Sequence, residues 1–328
     1  MVLDKIQQGW QKAGWLNAVF YPISLFYALI MHIRQTLYQV GWLKSEKLSV
    51  PVIVVGNLTV GGTGKTPLVI ALAKHLQKKG KHPGVITRGY KAKSGVWPRL
   101  VDHKTTVKDV GDEALLIYQH CQVPIMVGPN RVESGKMLID QHHCDVLISD
   151  DGFQHFALQR DIDIVVVDST RGFGNGWCLP SGPLREPKKN ISRGDVVITN
   201  GKMPDIKHSN IHSMEILLES ARQINGSDIR LLREFGDQPI HAIAGIGNPD
   251  RFFNQLSALG LKITRHSFKD HHNFSERDLL FGDSSPILMT EKDAVKCKSF
   301  IKSKNCWAVP ASANIDTHFF SFIEQRLR

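Results

Sequence analysis

A glycine-rich turn at residues 56–67, GNLTVGGTGKTP, has the residue types that bind a nucleotide phosphate. Glycines let backbone N–H groups approach a phosphate, a lysine adds positive charge, and a threonine hydroxyl can ligate Mg²⁺. Thr59 stands where the usual G-x-x-x-x-G-K-[ST] spacing has its first glycine, but an apolar run precedes the turn and a helical pattern follows it. The sequence therefore predicts a slightly irregular phosphate loop, formed by Thr59, Val60, Gly61, Gly62, Thr63, Gly64, Lys65 and Thr66.

A second apolar run ends in two acidic residues that could hold the metal of a nucleotide. In VLISDDGFQH, Asp150 and Asp151 follow the run as the acid of a Walker-B element does. Neighbouring residues at a strand end point to different sides, so the pattern leaves open which of the two contacts Mg²⁺ directly. An Asp-Asp-Gly turn alone is an ordinary connection, but together with a phosphate loop it predicts metal binding.

Further polar residues fall in loops or at the start of a helix. Asp112 and Glu113 open the helical pattern VGDEALLIY, where acidic residues are common caps, so the pattern alone does not indicate catalysis. The stretch GFGNGWCLPSGPLREP is rich in glycine and proline, as ordered functional loops often are. Candidate binding residues are Arg88, Tyr90 and Lys91 of TRGYKAK, Arg131 of GPNR, and Asn175 and Arg185 of the glycine- and proline-rich stretch.

The elements that would position these residues alternate along the chain. From residue 50, short runs such as VPVIVVGN, PGVIT, VPIMVG, DVLISDD, IDIVVVD and GDVVITN alternate with helical patterns. This alternation, together with the phosphate loop, predicts a P-loop NTPase-like α/β fold: a parallel sheet with helices on both faces. Such open sheets bind ligands at the carboxyl ends of their strands, where the polar residues above are expected.

The character of the sequence changes after about residue 201. GKMPDIKHSN is linker-like, and a second α/β pattern begins at PIHAIAGIGNPDRF, with later strands in LKITRHSF, PILMTEK and CWAVPA. We expect an apolar N-terminal helical segment at 1–45, a nucleotide-binding and catalytic domain at 46–214, and a smaller α/β lobe at 215–328.

The N-terminal stretch WLNAVFYPISLFYALIMHI, residues 15–33, is strongly apolar and is flanked by Lys12 and Arg34. It just reaches the length of a spanning helix, but Pro22 would kink or divide a helix there. Abundant Trp, Tyr and Phe with basic flanks favour a helix that lies in the membrane interface. A core helix and a spanning helix remain alternatives.

The net charge indicates the class of partner, and the cysteine content indicates the redox state of the compartment. The 41 Lys and Arg exceed the 31 Asp and Glu, giving a formal charge of +10. This balance favours anionic partners: nucleic acid, an acidic membrane surface or a phosphorylated substrate. The five cysteines are scattered without a C-x-x-C pair, which indicates reduced thiols and excludes a disulfide framework or a zinc site of that spacing.

Together these motifs resemble those of the tetraacyldisaccharide 4′-kinases, the lipid A 4′-kinase family of Gram-negative bacteria. The matching stretches follow the family's order and reach from the apolar N-terminus to about residue 296. The family's loop also lacks the first glycine, which accounts for Thr59. The stretches are VGNLTVGGTGKTP, TRGY, VGDEALLI, DDGFQH, GNGWCLPSGPLREP, AGIGNP, DHHNF and MTEKDAVK.

The resemblance implies an enzyme that uses ATP and Mg²⁺ to phosphorylate the 4′-hydroxyl of tetraacyldisaccharide 1-phosphate, forming lipid IVA. The resemblance also implies a lipid disaccharide substrate and monotopic association with the cytoplasmic face of the bacterial inner membrane. The resemblance implies Asp112 as general base, oriented by His271 of the second lobe, with the adjacent His272 as an alternative. The remaining implied residues are Thr66, Glu113, Asp150 and Asp151 with Gln154 around the metal, and Arg131 and Arg185 as phosphate clamps.

Two rival classes are weighed against this one. A partitioning ATPase of the KGG-x-GKT type has a signature lysine where Val60 stands here. A nucleic-acid-dependent ATPase would suit the charge, but the lysines occur as short pairs without interleaved aromatic residues. We therefore expect no nucleic acid and no obligate protein partner.

Overall fold

The computed structural model describes residues 6–7, 9–90, 92, 95–202 and 206–328. The candidate Lys91 and the first five residues of the N-terminal segment lie outside them. The helices, numbered in chain order, are α1 (Trp15–Gln39), α2 (Lys65–Lys78), α3 (Val107–Val110), α4 (Asp112–Cys121), α5 (Arg131–His142), α6 (Pro249–Ala258), α7 (Glu291–Cys297) and α8 (Thr317–Arg326). Short 3₁₀ helices are Lys188–Arg193, Leu232–Phe235 and Glu276–Leu279.

A nine-stranded sheet carries the phosphate loop. Its inner strands are parallel, and each of the two outermost strands is antiparallel to its neighbour. The predicted parallel α/β sheet is confirmed. In spatial order the strands are β15 (Ser312–Ile315), β8 (Ile211–Leu217), β7 (Val196–Asn200), β6 (Ile162–Asp168), β1 (Val52–Gly56), β5 (Val146–Asp150), β2 (Pro83–Thr87), β4 (Ile125–Val127) and β3 (Arg99–Leu100).

Alternate residues of the central strand β1 face opposite sides of this sheet, as the pleat requires. Ile53 and Val55 belong to the hydrophobic core that also takes in residues of α2, α4 and α8. Val52 and Val54 belong to a separate cluster with Leu138 of α5. Helices thus cover both faces, and the buried strands between them bring their polar ends to one edge.

A six-stranded sheet forms the smaller lobe, as predicted. Its core contains the fully buried Phe253, Leu288 and Trp307. In spatial order its strands are β10 (Ile229–Leu231), β9 (Ser220–Gln223), β14 (Cys306–Val309), β13 (Ile287–Thr290), β11 (Ile240–Ala244) and β12 (Ile263–Ser267).

The two sheets do not divide the chain at one point. The expected boundary between residues 214 and 215 falls within β8, a strand of the large sheet. After the small sheet, the chain returns: β15 pairs with β8, and α8 buries Phe319 and Ile323 in the core of the large sheet. The small lobe is therefore inserted between two neighbouring strands of the large one.

Helix α1 continues through Pro22, where the sequence predicted a kink or a break. The backbone of Ser181 bonds to it on both sides of the proline: Asn17 Nδ2 donates to the Ser181 carbonyl at 2.8 Å, and the Ser181 N–H donates to Ser24 Oγ at 3.0 Å. These contacts hold the helix where the proline removes a backbone donor. By length and composition α1 could cross a membrane. Its large exposed apolar residues are Trp15, Val19, Tyr21, Ile23, Leu25, Phe26, Leu29, Ile30 and Ile33.

Candidate active site

The phosphate loop joins β1 to α2 and requires glycine at two positions. Gly61 and Gly64 both have a φ of +96°, a conformation that glycine adopts without strain. A Cβ on Gly64 would also lie 2.6 Å from Nδ2 of Asn200. The turn places Lys65 at the first residue of α2, the helix end whose free N–H groups favour an anion.

Lys65 links the phosphate loop to the acidic end of β5. Its Nζ donates to Asn57 Oδ1 at 3.1 Å and lies 3.3 Å from Asp151 Oδ1. The approach follows from the sheet, because β5 is next to β1 and Val55 pairs with Asp150. Two motifs far apart in sequence thus meet at one edge, as predicted from the strand pattern.

The two adjacent aspartates have different surroundings. Arg185 Nη1 donates to both oxygens of Asp151, at 2.8 and 2.9 Å. Burial would raise the pKa of Asp151, but the charges of Lys65 and Arg185 lower it well below its usual value. Asp150 is 4% exposed, and burial raises its pKa to about 7. Its Oδ1 has no hydrogen-bond partner among the described residues, so Asp150 offers an oxygen to a cation.

Gln154 and Arg131 bond to the loops around these acids. Gln154 Nε2 donates to the Asn57 carbonyl at 3.0 Å and to Glu186 Oε1 at 2.7 Å. Arg131, which is 4% exposed, donates from Nη2 to the Asp151 carbonyl at 2.9 Å. Both predicted residues therefore lie at the site, with their bonds directed to the backbone and to a buried carboxylate.

Asp112 and His271 come from different lobes and meet. Nδ1 of His271 lies 3.0 Å from Oδ2 of Asp112, which begins α4 and is 3% exposed. Nζ of Lys292 lies 2.9 Å from Glu113 Oε1 and 3.8 Å from Asp112 Oδ2. Burial would raise the pKa of Asp112, but the His271 hydrogen bond and the Lys292 charge lower it to about 2.

Lys292 also decides how this acidic group should be interpreted. The ligand atoms of Asp112, Glu113 and His271 lie within 4.8 Å of one another, a spacing that could hold a metal ion. Burial would lower the pKa of Lys292, but Glu113, Asp112 and Asp270 raise it, so it stays a cation between them. Lys292 offsets part of this acidic charge and occupies the space beside Glu113, so the arrangement suits an acid–base pair better than a metal centre.

The adjacent histidines His271 and His272 make different contacts. His271 has a φ of +57°, which turns its ring toward the first lobe, 4.8 Å from the ring of Tyr90. His272 packs against Phe268 and Phe274, with ring centroids 4.7 and 4.8 Å away. The structure therefore pairs Asp112 with His271 and places His272 in an aromatic cluster of the small lobe.

The phosphate loop itself touches the small lobe. Arg171 donates to the Gly62 carbonyl and, at 3.1 Å, to the Gly247 carbonyl. A Cβ on Gly247 would lie 2.4 Å from the backbone nitrogen of Gly62, so only glycine fits there. Further along, His120 Nε2 of α4 lies 2.6 Å from Glu291 Oε2 of α7. The two lobes are in contact on both sides of the site.

The remaining candidate residues, Arg88 and Asn175, lie in two different loops. Arg88 is exposed and directly follows β2, the strand beside β5. Asn175 Nδ2 donates to the Ser181 carbonyl at 2.9 Å, and its Oδ1 accepts from the Trp177 N–H at 3.0 Å. Asn175 therefore stabilises the loop that supports α1, and its contacts do not reach the phosphate loop.

Several residues of the site were missed from the sequence. Lys292 belongs to the stretch MTEKDAVK, and Gly247 belongs to AGIGNP, two stretches that carried the resemblance without an assigned role. Glu186 follows Arg185 and is only 1% exposed. Its one sequence signal is a charged residue in a glycine- and proline-rich stretch. Arg171 has no sequence signal, because its partners lie in two loops distant along the chain.

Known proteins are similar to this chain over nearly its whole length. A sequence model of the LpxK family, described as tetraacyldisaccharide-1-P 4′-kinase, matches residues 16–328. The chain belongs to this family. It is similar to the tetraacyldisaccharide 4′-kinase of Hahella chejuensis, at 41% identity over 327 residues that cover 98% of this chain and 96% of the relative. The enzyme of that name from Nitrosococcus oceani is 46% identical over 309 residues, covering 94% and 89%.

A solved structure gives the same result for the fold. The crystal structure of an "apo" form of LpxK from Aquifex aeolicus in complex with ATP is 29% identical, with a TM-score of 0.79. The alignment covers 95% of this chain and all of that one, 100%. The predicted LpxK family, fold and kinase class are thus confirmed, and the protein is a kinase of lipid A biosynthesis.

Proposed function

We propose that this chain transfers the γ-phosphate of ATP to the 4′-hydroxyl of tetraacyldisaccharide 1-phosphate at a membrane surface. The observation that carries the proposal is the meeting of Asp112 and His271, 3.0 Å apart, at the same sheet edge as the phosphate loop. A phosphate loop alone would suit any nucleotide hydrolase, whereas a carboxylate–imidazole pair beside it suits activation of an alcohol.

The nucleotide has a place for each of its parts. The phosphates fit the loop ending in Lys65, where glycine backbone and a helix start favour anions. Beside it, an open cavity of about 590 Å³ lies where β7 ends and next to the middle of β8, bordered by Gly201 and Met214. A Cβ on Gly64 would lie 3.1 Å from Cε of Met214, so the cavity borders the phosphate loop and we assign the nucleoside to it.

Mg²⁺ suits the oxygen atoms present. Asp150 has a buried carboxylate oxygen without a protein partner, and a cation would offset the burial that raises its pKa to about 7. Thr66, the second residue of α2, follows Lys65 as the metal-binding hydroxyl of a phosphate loop does. Asp151 is already held by Arg185 and Lys65, which favours Asp150 as the direct ligand. When bound, the metal would neutralise negative charge on the phosphates.

Asp112 would orient the sugar hydroxyl and receive its proton. Its low pKa, about 2, makes it a weak base in the free enzyme. Phosphoryl transfer passes through a loose transition state, so catalysis depends mainly on positioning and the proton moves late. His271 and Lys292 both contact Oδ2 of Asp112 and hold the carboxylate in one orientation. A carboxylate held in this way needs no rearrangement to bind the acceptor hydroxyl.

The acceptor is a lipid, and α1 supplies a surface for it. One face of α1 rests on the large lobe along its length, from Asn17 to Tyr38, whose ring lies 5.8 Å from that of Phe156. The opposite face exposes Val19 by 63% and Phe26 by 64%. A helix held along its whole length by the protein is suited to lie in the interface, and we propose monotopic association with the cytoplasmic face of the inner membrane.

Replacing Val19, Phe26 and Ile30 together by Gln is expected to release the protein from membranes, because these residues share the exposed face of α1. The measurement is the fraction that co-sediments with lipid vesicles. Nucleotide affinity should stay unchanged, because the phosphate loop is intact. The matched control replaces three apolar residues exposed on the small lobe, Ile229, Leu259 and Leu280. Release by the control variant alone would contradict the assignment to α1.

The proposed reaction is tested by incubating the purified protein with radiolabelled ATP, Mg²⁺, neutral detergent and the acylated disaccharide 1-phosphate. We expect the lipid product to gain one phosphate, at the 4′ position, and ATP turnover to depend on the acceptor. ATP turnover without any acceptor, at the same rate, would indicate a hydrolase and contradict the proposal.

A further inference from the structure

The guanidinium of Arg171 lies against the phosphate loop. Its Nη2 donates to the Gly62 carbonyl, and a Cβ built on Gly61 would lie 2.9 Å from its Nη1. Both glycines belong to the turn that leads into Lys65 at the start of α2. A nucleotide phosphate held by this turn would therefore lie close to two cations, the Lys65 ammonium and the Arg171 guanidinium.

Strand β6 and its buried last residue place Arg171 there. β6 pairs with β1, the strand that leads into the phosphate loop, so the ends of the two strands are neighbours. Asp168, the last residue of β6, is 2% exposed, and its Oδ1 accepts from the N–H groups of Thr170 at 2.9 Å and of Arg171 at 3.2 Å. These bonds fold the chain into a tight turn directly after the strand, from which the Arg171 side chain contacts the loop.

Arg171 has hydrogen-bond donors left for a ligand. A guanidinium carries five N–H groups, and the described bonds of Arg171 use one on Nη1 and one on Nη2, both to backbone carbonyls. Nε is buried and has no hydrogen-bond partner among the described residues, and Asp168 Oδ2 lies 3.8 Å from it. Burying a charged donor without an acceptor is costly, and a phosphate oxygen bonded to the guanidinium would offset that cost.

We propose that Arg171 is a catalytic residue whose guanidinium contacts the phosphoryl group as it is transferred. The inference rests on the proposed function and adds to it a cation that acts mainly in the transition state. Arginine suits this role, because its N–H groups form charge-assisted hydrogen bonds with phosphate oxygens. An arginine placed in this way beside a phosphate loop accelerates transfer by about 10³-fold or more.

The transfer breaks one bond and forms one. The oxygen of the acceptor hydroxyl bonds to the γ-phosphorus of ATP, and the bond from that phosphorus to the bridging oxygen of ADP breaks. The hydroxyl proton passes to Asp112, and ADP leaves with the bonding electrons. Arg171 stays protonated throughout, and its N–H groups bind the phosphoryl oxygens over which negative charge is spread in the transition state.

A contact with the small lobe gives Arg171 a competing role, that of a fastener between the lobes. Its Nη1 donates to the Gly247 carbonyl at 3.1 Å. Arg251 of α6 crosses the same interface: its Nη2 donates to Asp168 Oδ1 and to the Asn200 carbonyl, both at 3.2 Å. The described bonds of Arg251 do not involve the phosphate loop, so Arg251→Gln is a matched control for the loss of an arginine between the lobes.

The first test is single-turnover transfer at saturating ATP and Mg²⁺, with the acylated disaccharide 1-phosphate in neutral detergent micelles. For Arg171→Gln we expect the rate to fall about 1,000-fold, with ADP affinity within about threefold of the wild-type value. Arg171→Lys should give an intermediate rate, because lysine keeps the charge but cannot form the planar pair of bonds. Arg251→Gln should lose no more than about 10-fold, the loss of one charge-assisted bond.

The second test measures how tightly ADP binds together with Mg²⁺ and aluminium fluoride, which imitate the phosphoryl group in transfer. Wild type should bind this mixture at least about 100-fold more tightly than ADP and Mg²⁺ alone, as expected for a transition-state mimic. Arg171→Gln should lose most of that gain, and Arg251→Gln should keep it. A residue that only fastens the lobes would change the binding of ADP with and without aluminium fluoride by the same factor.

Three results would contradict the proposal. An unchanged rate and unchanged ATP binding in Arg171→Gln would mean that the guanidinium contacts no phosphate. Weaker ATP binding with an unchanged rate at saturation would make Arg171 a residue that binds only the ground state. Equal losses in Arg171→Gln and Arg251→Gln, both in transfer and in the gain from aluminium fluoride, would assign Arg171 to holding the lobes together.

The proposed function and the role of Arg171 can fail separately. If wild type transfers phosphate to no lipid acceptor, the reaction is wrong, and the binding of ADP with aluminium fluoride still decides the role of Arg171. A gain that wild type shows and Arg171→Gln lacks would support that role. No gain in wild type, or an equal gain in both proteins, would contradict it. Circular dichroism and ADP affinity show whether each variant is folded, and Arg171→Lys, which keeps the buried charge, takes the place of Arg171→Gln if that protein does not fold.

Discussion

Replacing Asp112 by Asn is expected to lower turnover by about two to four orders of magnitude, the range for a positioned acid–base group. The change keeps the shape of a residue that is 3% exposed and removes only the charge that His271 and Lys292 hold in place. ATP affinity should change little, since Asp112 lies outside the phosphate loop. The measurement is single-turnover transfer to the lipid acceptor, alongside nucleotide binding.

The partner variant should be His271→Asn, because the φ of +57° at this residue is tolerated by Asn and strained for Ala. A similar loss is expected. If the two side chains act as one unit, the double variant should be scarcely worse than the worse single variant. Fully multiplicative losses would show that they act independently. His272→Ala is the control for the adjacent position and should keep most activity, since His272 packs against phenylalanines.

Replacing Lys65 by Ala is expected to reduce transfer below detection and to weaken ATP binding. Lys65 is the cation at the start of α2, and its removal leaves Asn57 and Asp151 without their shared partner. Thr66→Ala should also abolish transfer, with a smaller effect on binding when Mg²⁺ is withheld.

The control for Lys65 lies on the same helix. Lys74→Ala removes the same charge from an exposed position of α2 and should leave kinetics unchanged. Near-normal transfer by a folded Lys65→Ala protein would remove the phosphate-loop assignment. Loss of transfer in the Lys74 variant would show that the total charge of the helix, and not the loop, is decisive.

Local sequence patterns predict most of the large sheet. Val- and Ile-rich runs alternate with helical patterns, and each parallel strand needs a crossover, so their order predicts a doubly covered sheet. The pairing of β15 with β8 has no local signal, because the entire small lobe separates Ser312 from Leu217 in the sequence. Continuity of α1 through Pro22 was missed for the same reason, since it depends on contacts with Ser181.

The candidate site divides in a similar way. The phosphate loop and the end of β5 are short-range motifs, and their residues meet because β1 and β5 are neighbours. The pairing of Asp112 with His271 came from the family resemblance, since the two lie in different lobes. Lys292 shows what the sequence reasoning missed: a charge in a quoted stretch acquires a partner only when α7 packs beside α4.

The attachment of the small lobe limits how it can move. Leu217, the last residue of β8, pairs with Ser312, the first residue of β15, so the chain leaves the large sheet and re-enters it at one place. Two adjacent connections of this kind favour rotation of the lobe about one axis over sliding of the lobe along the large sheet. One swing about that axis would separate Gly247 from Gly62 and His271 from Asp112 together. Such a rotation would change nucleotide access and the Asp112–His271 pair together.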